Sequence, residues 1–143
     1  MCQQAALGPL PAGTAGKILA YAEAQLGKPY LFGQAGPDAF DCSGLAMMAY
    51  RAAGIVIPRT SQAQWAYGRQ VPASQVQPGD LVFFAGADGT PAAPGHVGIV
   101  LNPAAHTMIN AYTGAFPAEV DTYGLPASKG GLSPVVGFTR PPA

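Results

Sequence analysis

Three residues carry the chemistry this chain has to offer: a thiol at the start of an apolar helix, an imidazole at the start of a strand, and a carboxamide one strand later. The thiol is Cys42, inside FDCSGLA at 40–46. A thiol is nucleophilic only as thiolate, and a helix N-terminus or a neighbouring imidazolium lowers its pKa from about 8.5 to between about 3.5 and 7.5. A cysteine also serves as a small buried apolar residue, so a second feature has to decide. His96, in PGHVGIVL, enters a strand from a Gly/Pro loop and can project from the sheet edge as a base. A histidine taken alone is as readily structural, and the pair matters more than either member. If VGIVL and TMINAY form a hairpin through NPAAH with Leu101 opposite Thr107, Gly98 falls opposite Asn110 and His96 lies on the diagonal. All three then share a face, about 7 to 8 Å apart between diagonal Cα atoms. Asn110 is placed to orient His96 by accepting its second ring proton, or else is an ordinary strand polar residue. A slip of one residue would turn Asn110 to the opposite face. His106, in the hairpin loop, has no partner in the sequence and reads as a solvated loop residue.

These groups need helices and a sheet to position them. Helix formers run from Thr14 through TAGKILAYAEAQL, and Gly27 and Pro29 stop them. KPYLFGQAGPDAF is a loop by its prolines and glycines. The second helix begins at the thiol, with Asp41 as its N-cap. Leu45, Met48, Ala49 and Ala52 form one buried stripe, and Gly54 ends it. Thr60 or Ser61 caps a short third helix, SQAQWAY, which Gly68 terminates and whose Trp65 packs onto the core. DLVFF, VGIVL, TMINAY and VVGFTR are β-branched or aromatic runs between Gly/Pro clusters and read as strands. Helices first and strands afterwards predict an α+β fold, with an antiparallel sheet of about five strands covered on one side by the helices. Residues 1–13 read as a flexible leader or linker, and 14–143 as one domain.

Composition narrows the partners. Of the 143 residues, 49% are apolar and 10% charged, with seven basic side chains against seven acidic. Neither sign forms a run, which argues against nucleic acid or an anionic membrane surface as partner. No uncharged apolar run approaches the roughly 20 residues of a membrane span. Two cysteines make no disulfide framework, so Cys42 reads as a free thiol. The opening MCQQAALGPLPAGTAG lacks the pattern of a secretory signal.

Five segments in order, GKPYLFGQAGPDAFDCSGL, IPRTSQAQ, PGDLVFF, GHVGIVL and MINAYTG, together resemble the NlpC/P60 family of papain-like cysteine peptidases, which cut peptidoglycan stem peptides. The resemblance runs from about Lys17 to Arg140. It implies a papain-like fold, Cys42 as nucleophile and His96 as base. The family's third position, usually histidine, falls on Asn110, and a carboxamide can perform the same orienting task. It implies an oxyanion held by the Cys42 backbone N–H with the Tyr30 hydroxyl, unless Tyr30 is a packed loop aromatic, and a groove containing Asp41, Ser43, Arg59 and Ser61, the two serines otherwise being local backbone partners. Asp41 is then a helix cap, a ligand for a substrate ammonium, or both; Arg59 is a carboxylate clamp or a surface charge. Phe32 and Gln34 stand where family members commonly carry tryptophan and glycine. The implied reaction is hydrolysis of the D-γ-glutamyl–diamino acid bond, with no cofactor or metal, by a protein exported to the cell wall, periplasm or exterior. Two other readings stay open: an amidase or acyltransferase using the same Cys–His pair, and a catalytically silent wall-binding module.

Overall fold

An extended Asp41 ahead of a run of small and apolar residues starts the helix that matters most. The computed structural model describes residues 12–86, 89–112, 118–123 and 135–142, and in it α2 spans Cys42–Ala52 with Asp41 as N-cap, its carboxylate accepting from Gly44 N. α1 (Ala12–Ala24) precedes it and α3 (Ser61–Tyr67) follows. α1 starts two residues before the expected Thr14, because Ala12 and Gly13 continue the helix; the rest of the expected leader, residues 1–11, lies outside the described residues. Of the two candidate caps for α3, Thr60 serves, accepting from Ala63 N.

The buried face of α2 is rotated from the expected stripe. Leu45, Ala46, Ala49 and Tyr50 are buried, whereas Met48 is half-buried and Ala52 exposed. The reason lies in Tyr50, whose hydroxyl donates to Gly79 O inside the fold; a polar-tipped aromatic is buried when its tip finds a partner.

Among the described residues six strands form one antiparallel sheet: β1 (Arg69–Val71), β2 (Leu81–Phe84), β3 (His96–Asn102), β4 (Thr107–Ala111), β5 (Ala118–Thr122) and β6 (Val135–Arg140), in spatial order β1-β6-β2-β3-β4-β5. The sequence runs named four of these and the expected count was about five. β1 and β5 are the two edges, β1 only three residues long and β5 polar in pattern, so neither shows the apolar alternation that marks a strand. Residue alternation gives the sheet two apolar faces. Leu81, Phe83, Val97, Ile99 and Ile109 pack under the helices with Ile18, Phe40 and Leu45. Val82, Phe84, Val100, Met108 and Phe138 form a second cluster on the other face.

The β3–β4 hairpin keeps the expected register in its body, with Ile99 opposite Ile109 and Val100 opposite Met108. Nearer the turn the expected Leu101–Thr107 pairing is wrong: Asn102 pairs with Thr107 across a bulge. The Asn102 side chain accepts from Ala104 N and Ala105 N, an Asx turn that draws in one more residue. His106 is exposed, as expected of a loop residue, but it has a partner: its ring lies 5.3 Å from that of Tyr123.

Gly44, two residues after the thiol, is where the loop of residues 28–41 crosses α2. A Cβ there would meet Gln34 O and lie 2.9 Å from Asp41 Oδ1 and 3.0 Å from Ala35 Cα. Because the obstacles are backbone and a fully engaged carboxylate, Gly44→Ala is expected to cost about 2 to 3 kcal/mol. Urea unfolding of the variant beside the wild type measures it, and an unchanged midpoint would refute the crossing.

Candidate active site

Cys42 is a free, half-buried thiol at the head of α2. Its Sγ donates to Gly95 O at 3.9 Å. The sulfur therefore touches the backbone of the residue that precedes His96. His96 itself follows the strand alternation onto the face away from the helices, so thiol and strand meet at the end of β3 rather than across the covered face.

His96 is 6% exposed and Asn110 1%. Asn110 Nδ2 lies 3.0 Å from His96 Nε2, and the Phe84 and Tyr112 rings flank the imidazole at 5.6 and 5.4 Å. The register places Asn110 across from Gly98, where a Cβ would sit 3.4 Å from Asn110 Cβ. His96 and Asn110 thus meet as the hairpin argument requires, though through the amide nitrogen rather than the expected oxygen. In that orientation Nδ2 donates to Nε2 and the ring proton resides on Nδ1. A half-turn of the amide would let Oδ1 accept Nε2–H and leave Nδ1 bare. Oδ1 is buried without a hydrogen-bond partner among the described residues, so the half-turn breaks no bond on its side.

Burial dominates the electrostatics of both groups. It pushes the Cys42 thiol up to about 11, the nearby Asp41 charge adding to it, against the smaller pull of the Val97, Ser43 and Cys42 backbone N–H groups. Burial pushes His96 down to about 4. Each charged form alone is disfavoured, and the resting pair is neutral. For His96 the unfolded chain protonates near the ordinary 6.5 and the folded protein only near 4. Between those values the unfolded state binds more protons, so stability falls as pH drops from about 6.5 to about 4. The loss from this group is at most about 3 kcal/mol. Unfolding midpoints from pH 7.5 to 4 should fall less steeply for His96→Gln than for the wild type; parallel curves would show that the imidazole is not held neutral.

A groove of about 550 Å³ opens beside the thiol, and Tyr30, Asp41, Ser43, Arg59 and Ser61 all line it, together with the 82% exposed Phe32. Asp41 is densely engaged. It accepts from Gly33 N at 2.8 Å, Gly44 N at 2.7 Å and Ser43 Oγ at 3.3 Å. Arg59 grips both its oxygens, at 3.1 and 3.0 Å, and also donates to Ser43 Oγ at 2.9 Å. Asp41 is therefore a cap, and the carboxylate that Arg59 clamps here is the chain's own. Ser61 Oγ donates to Pro94 O at 2.9 Å.

Sequence reasoning passed over Gln64, which is 1% exposed and donates from Nε2 to Ser43 O and Pro58 O. Its place in IPRTSQAQ was visible; its burial was not. Among the described residues no group of three or more His, Cys, Asp or Glu side chains is placed to hold a metal ion, and no described helix is long and apolar enough to cross a membrane.

Three helices on one side of an antiparallel sheet, with a thiol at a helix head meeting the strand that carries an imidazole, make this a papain-like α+β fold. The chain belongs to the NlpC/P60 family, whose profile matches residues 27–121. It is 46% identical over 94 residues to a protein of Listeria seeligeri named probable endopeptidase p60, a match covering 66% of this chain but 17% of that protein. The chain thus spans under a fifth of that relative's length. Among solved structures, an NLP/P60-family protein of Staphylococcus aureus described as similar to lipoprotein aligns with TM-score 0.78 and 29% identity, over 93% of this chain and 43% of its own. The peptidoglycan hydrolase RipB of Mycobacterium tuberculosis aligns with TM-score 0.68 and 31% identity, over 93% and 71%. RipD of the same organism, described as a non-catalytic NlpC/p60 domain protein adapted to peptidoglycan binding, aligns with TM-score 0.68 and 25% identity, over 89% and 96%.

Proposed function

We propose that this chain is a cysteine endopeptidase that hydrolyses peptidoglycan stem peptides at the D-γ-glutamyl–diamino acid bond, outside the cytoplasm. One observation carries the reading: the Cys42 sulfur lies against Gly95 O, the carbonyl that precedes His96, whose Nε2 faces Asn110. With the Asn110 amide turned so that Oδ1 accepts Nε2–H, the Nδ1 lone pair is free and serves the thiol. Cys42 passes its proton to Nδ1 as the sulfur attacks the peptide carbonyl, so that neither buried charge forms without the other. The Cys42 backbone N–H at the helix head and the Tyr30 hydroxyl receive the oxyanion; such a donor is worth about 3 to 4 kcal/mol. His96 then protonates the leaving amine, and water, deprotonated by His96, resolves the thioester. Asn110, its oxygen turned to Nε2–H, steadies the imidazolium. Arg59, with its side chain 36% exposed, offers its outer N–H groups to a substrate carboxylate, such as the α-carboxylate of a γ-linked glutamate.

A second reading, a domain that binds the wall without cutting it, is favoured by the likeness to RipD. Incubation with purified peptidoglycan of known stem composition, followed by mass spectrometry, separates the two. The endopeptidase leaves new γ-glutamyl carboxyl ends and diamino-acid amino ends. Binding without new ends supports the second reading and overturns the first.

A further inference from the structure

We propose that α3 is a strut that fixes the separation between the thiol and the imidazole, with Gln64 and Ser61 as its positioning residues; the proposal rests on the endopeptidase reading. One end of the strut holds the base: Ser61 Oγ donates at 2.9 Å to Pro94 O, two residues before His96. The other holds the nucleophile: Gln64 Nε2 donates at 3.1 Å to Ser43 O, the carbonyl next to Cys42, and at 2.8 Å to Pro58 O. Two residues on one turn of one helix thus grip the backbone beside each reacting group.

The strut is itself pinned to the sheet. Trp65 packs edge-on against Phe83, ring centroids 5.2 Å apart. Gly137 leaves room for that indole, since a Cβ there would lie 2.8 Å from Trp65 Cη2. Gly68 rests on Thr139 in the same way, with a Cβ 2.7 Å from the Thr139 side chain.

Packing alone does not account for an amide at position 64. Gln64 is 1% exposed, and its Oε1 is buried without a hydrogen-bond partner among the described residues. An unpaired buried acceptor is destabilising, and a leucine or methionine would fill the space without that cost. What the amide adds is its two donated bonds, and both end on backbone beside the nucleophile or the loop leading into α3. Misplacement by about 1 Å of groups that must react together can lower a rate about 100-fold.

The test uses Gln64→Met, which keeps the volume and removes both donors, Ser61→Ala, which removes the other grip, and Ser61→Thr, which restores a hydroxyl. On a soluble stem peptide, Gln64→Met, outside the groove lining, should lower kcat about 10- to 100-fold with KM within twofold; Ser61→Ala should lower kcat by a similar factor, and Ser61→Thr should recover most of that loss. The pH profile of Cys42 alkylation by iodoacetamide should shift in both impaired variants, because the imidazole acts on the thiol only at the held distance. A lowered melting temperature with wild-type kcat and a superimposable alkylation profile would overturn the proposal, as would a raised KM at unchanged kcat. If the wild type cleaves no stem peptide, the endopeptidase reading fails by itself, and the alkylation profiles alone decide for or against the strut.

Discussion

On the endopeptidase reading, Cys42→Ala should lower cleavage of stem peptides about 10⁴- to 10⁶-fold, the range expected when the nucleophile of a covalent mechanism is lost. The fold should survive. Alanine keeps the helix propensity at the head of α2, Asp41 still caps through Gly44 N, and the side chain removed is half-buried, with one long hydrogen bond, 3.9 Å to Gly95 O. Stability should change by no more than about 1 kcal/mol. Wall binding should persist, because Tyr30, Asp41, Arg59 and the rest of the groove are untouched. The measurements are mass spectrometry of digested peptidoglycan, thermal melting and pull-down on insoluble wall. An alanine variant that still released γ-glutamyl ends would remove the thiol from the mechanism.

The largest stability effect is expected far from the groove, at Asp80→Asn. Asp80 is fully buried and Arg140 5% exposed. Arg140 Nε reaches Asp80 Oδ1 at 2.7 Å and Nη2 reaches Oδ2 at 2.9 Å. Asp80 also accepts from Gln77 N at 2.8 Å, and Arg140 donates to Gln75 O at 3.2 Å. Burial pushes the Asp80 carboxyl up, and the guanidinium fork opposes it. Removing the charge from one partner strands the other in the interior, at a cost of about 3 to 5 kcal/mol, a large part of the roughly 5 to 15 kcal/mol that holds a domain folded. An apolar double variant, Asp80→Leu with Arg140→Met, should recover part of that loss, because it leaves no unpaired charge. Urea unfolding of the three proteins decides. A single variant within 1 kcal/mol of the wild type would mean that the pair contributes little.

Much of this was legible in the chain itself, because some signals are local. Asp41 before a run of small and apolar residues gives α2 by capping chemistry alone. The period-two register of two strands brings Asn110 to His96 without any knowledge of the rest of the fold. The misreadings share a physical cause, since each depended on contacts between distant segments. Ala52 was assigned to the core because the stripe was phased without knowing that the Tyr50 hydroxyl has Gly79 O to reach. β1 and β5 exist because β6 and β4 offer them free edges, and their own residues carry little strand signal. Arg59 reads in the sequence equally as a carboxylate clamp or a surface charge, and nothing local shows that Asp41, 18 positions earlier, takes two of its bonds. Gln64 carries no local signal, and only its burial makes its donors matter.

The strand order has a consequence for how the molecule comes into being on the ribosome. β6 is the last strand in sequence but lies inside the sheet, between β1 and β2. A nascent chain that has emerged only as far as β5 therefore has an open slot beside β2, and Asp80 awaits a guanidinium still inside the exit tunnel. Closure of the sheet waits on its last strand: the domain can close only once Arg140 has left the exit tunnel.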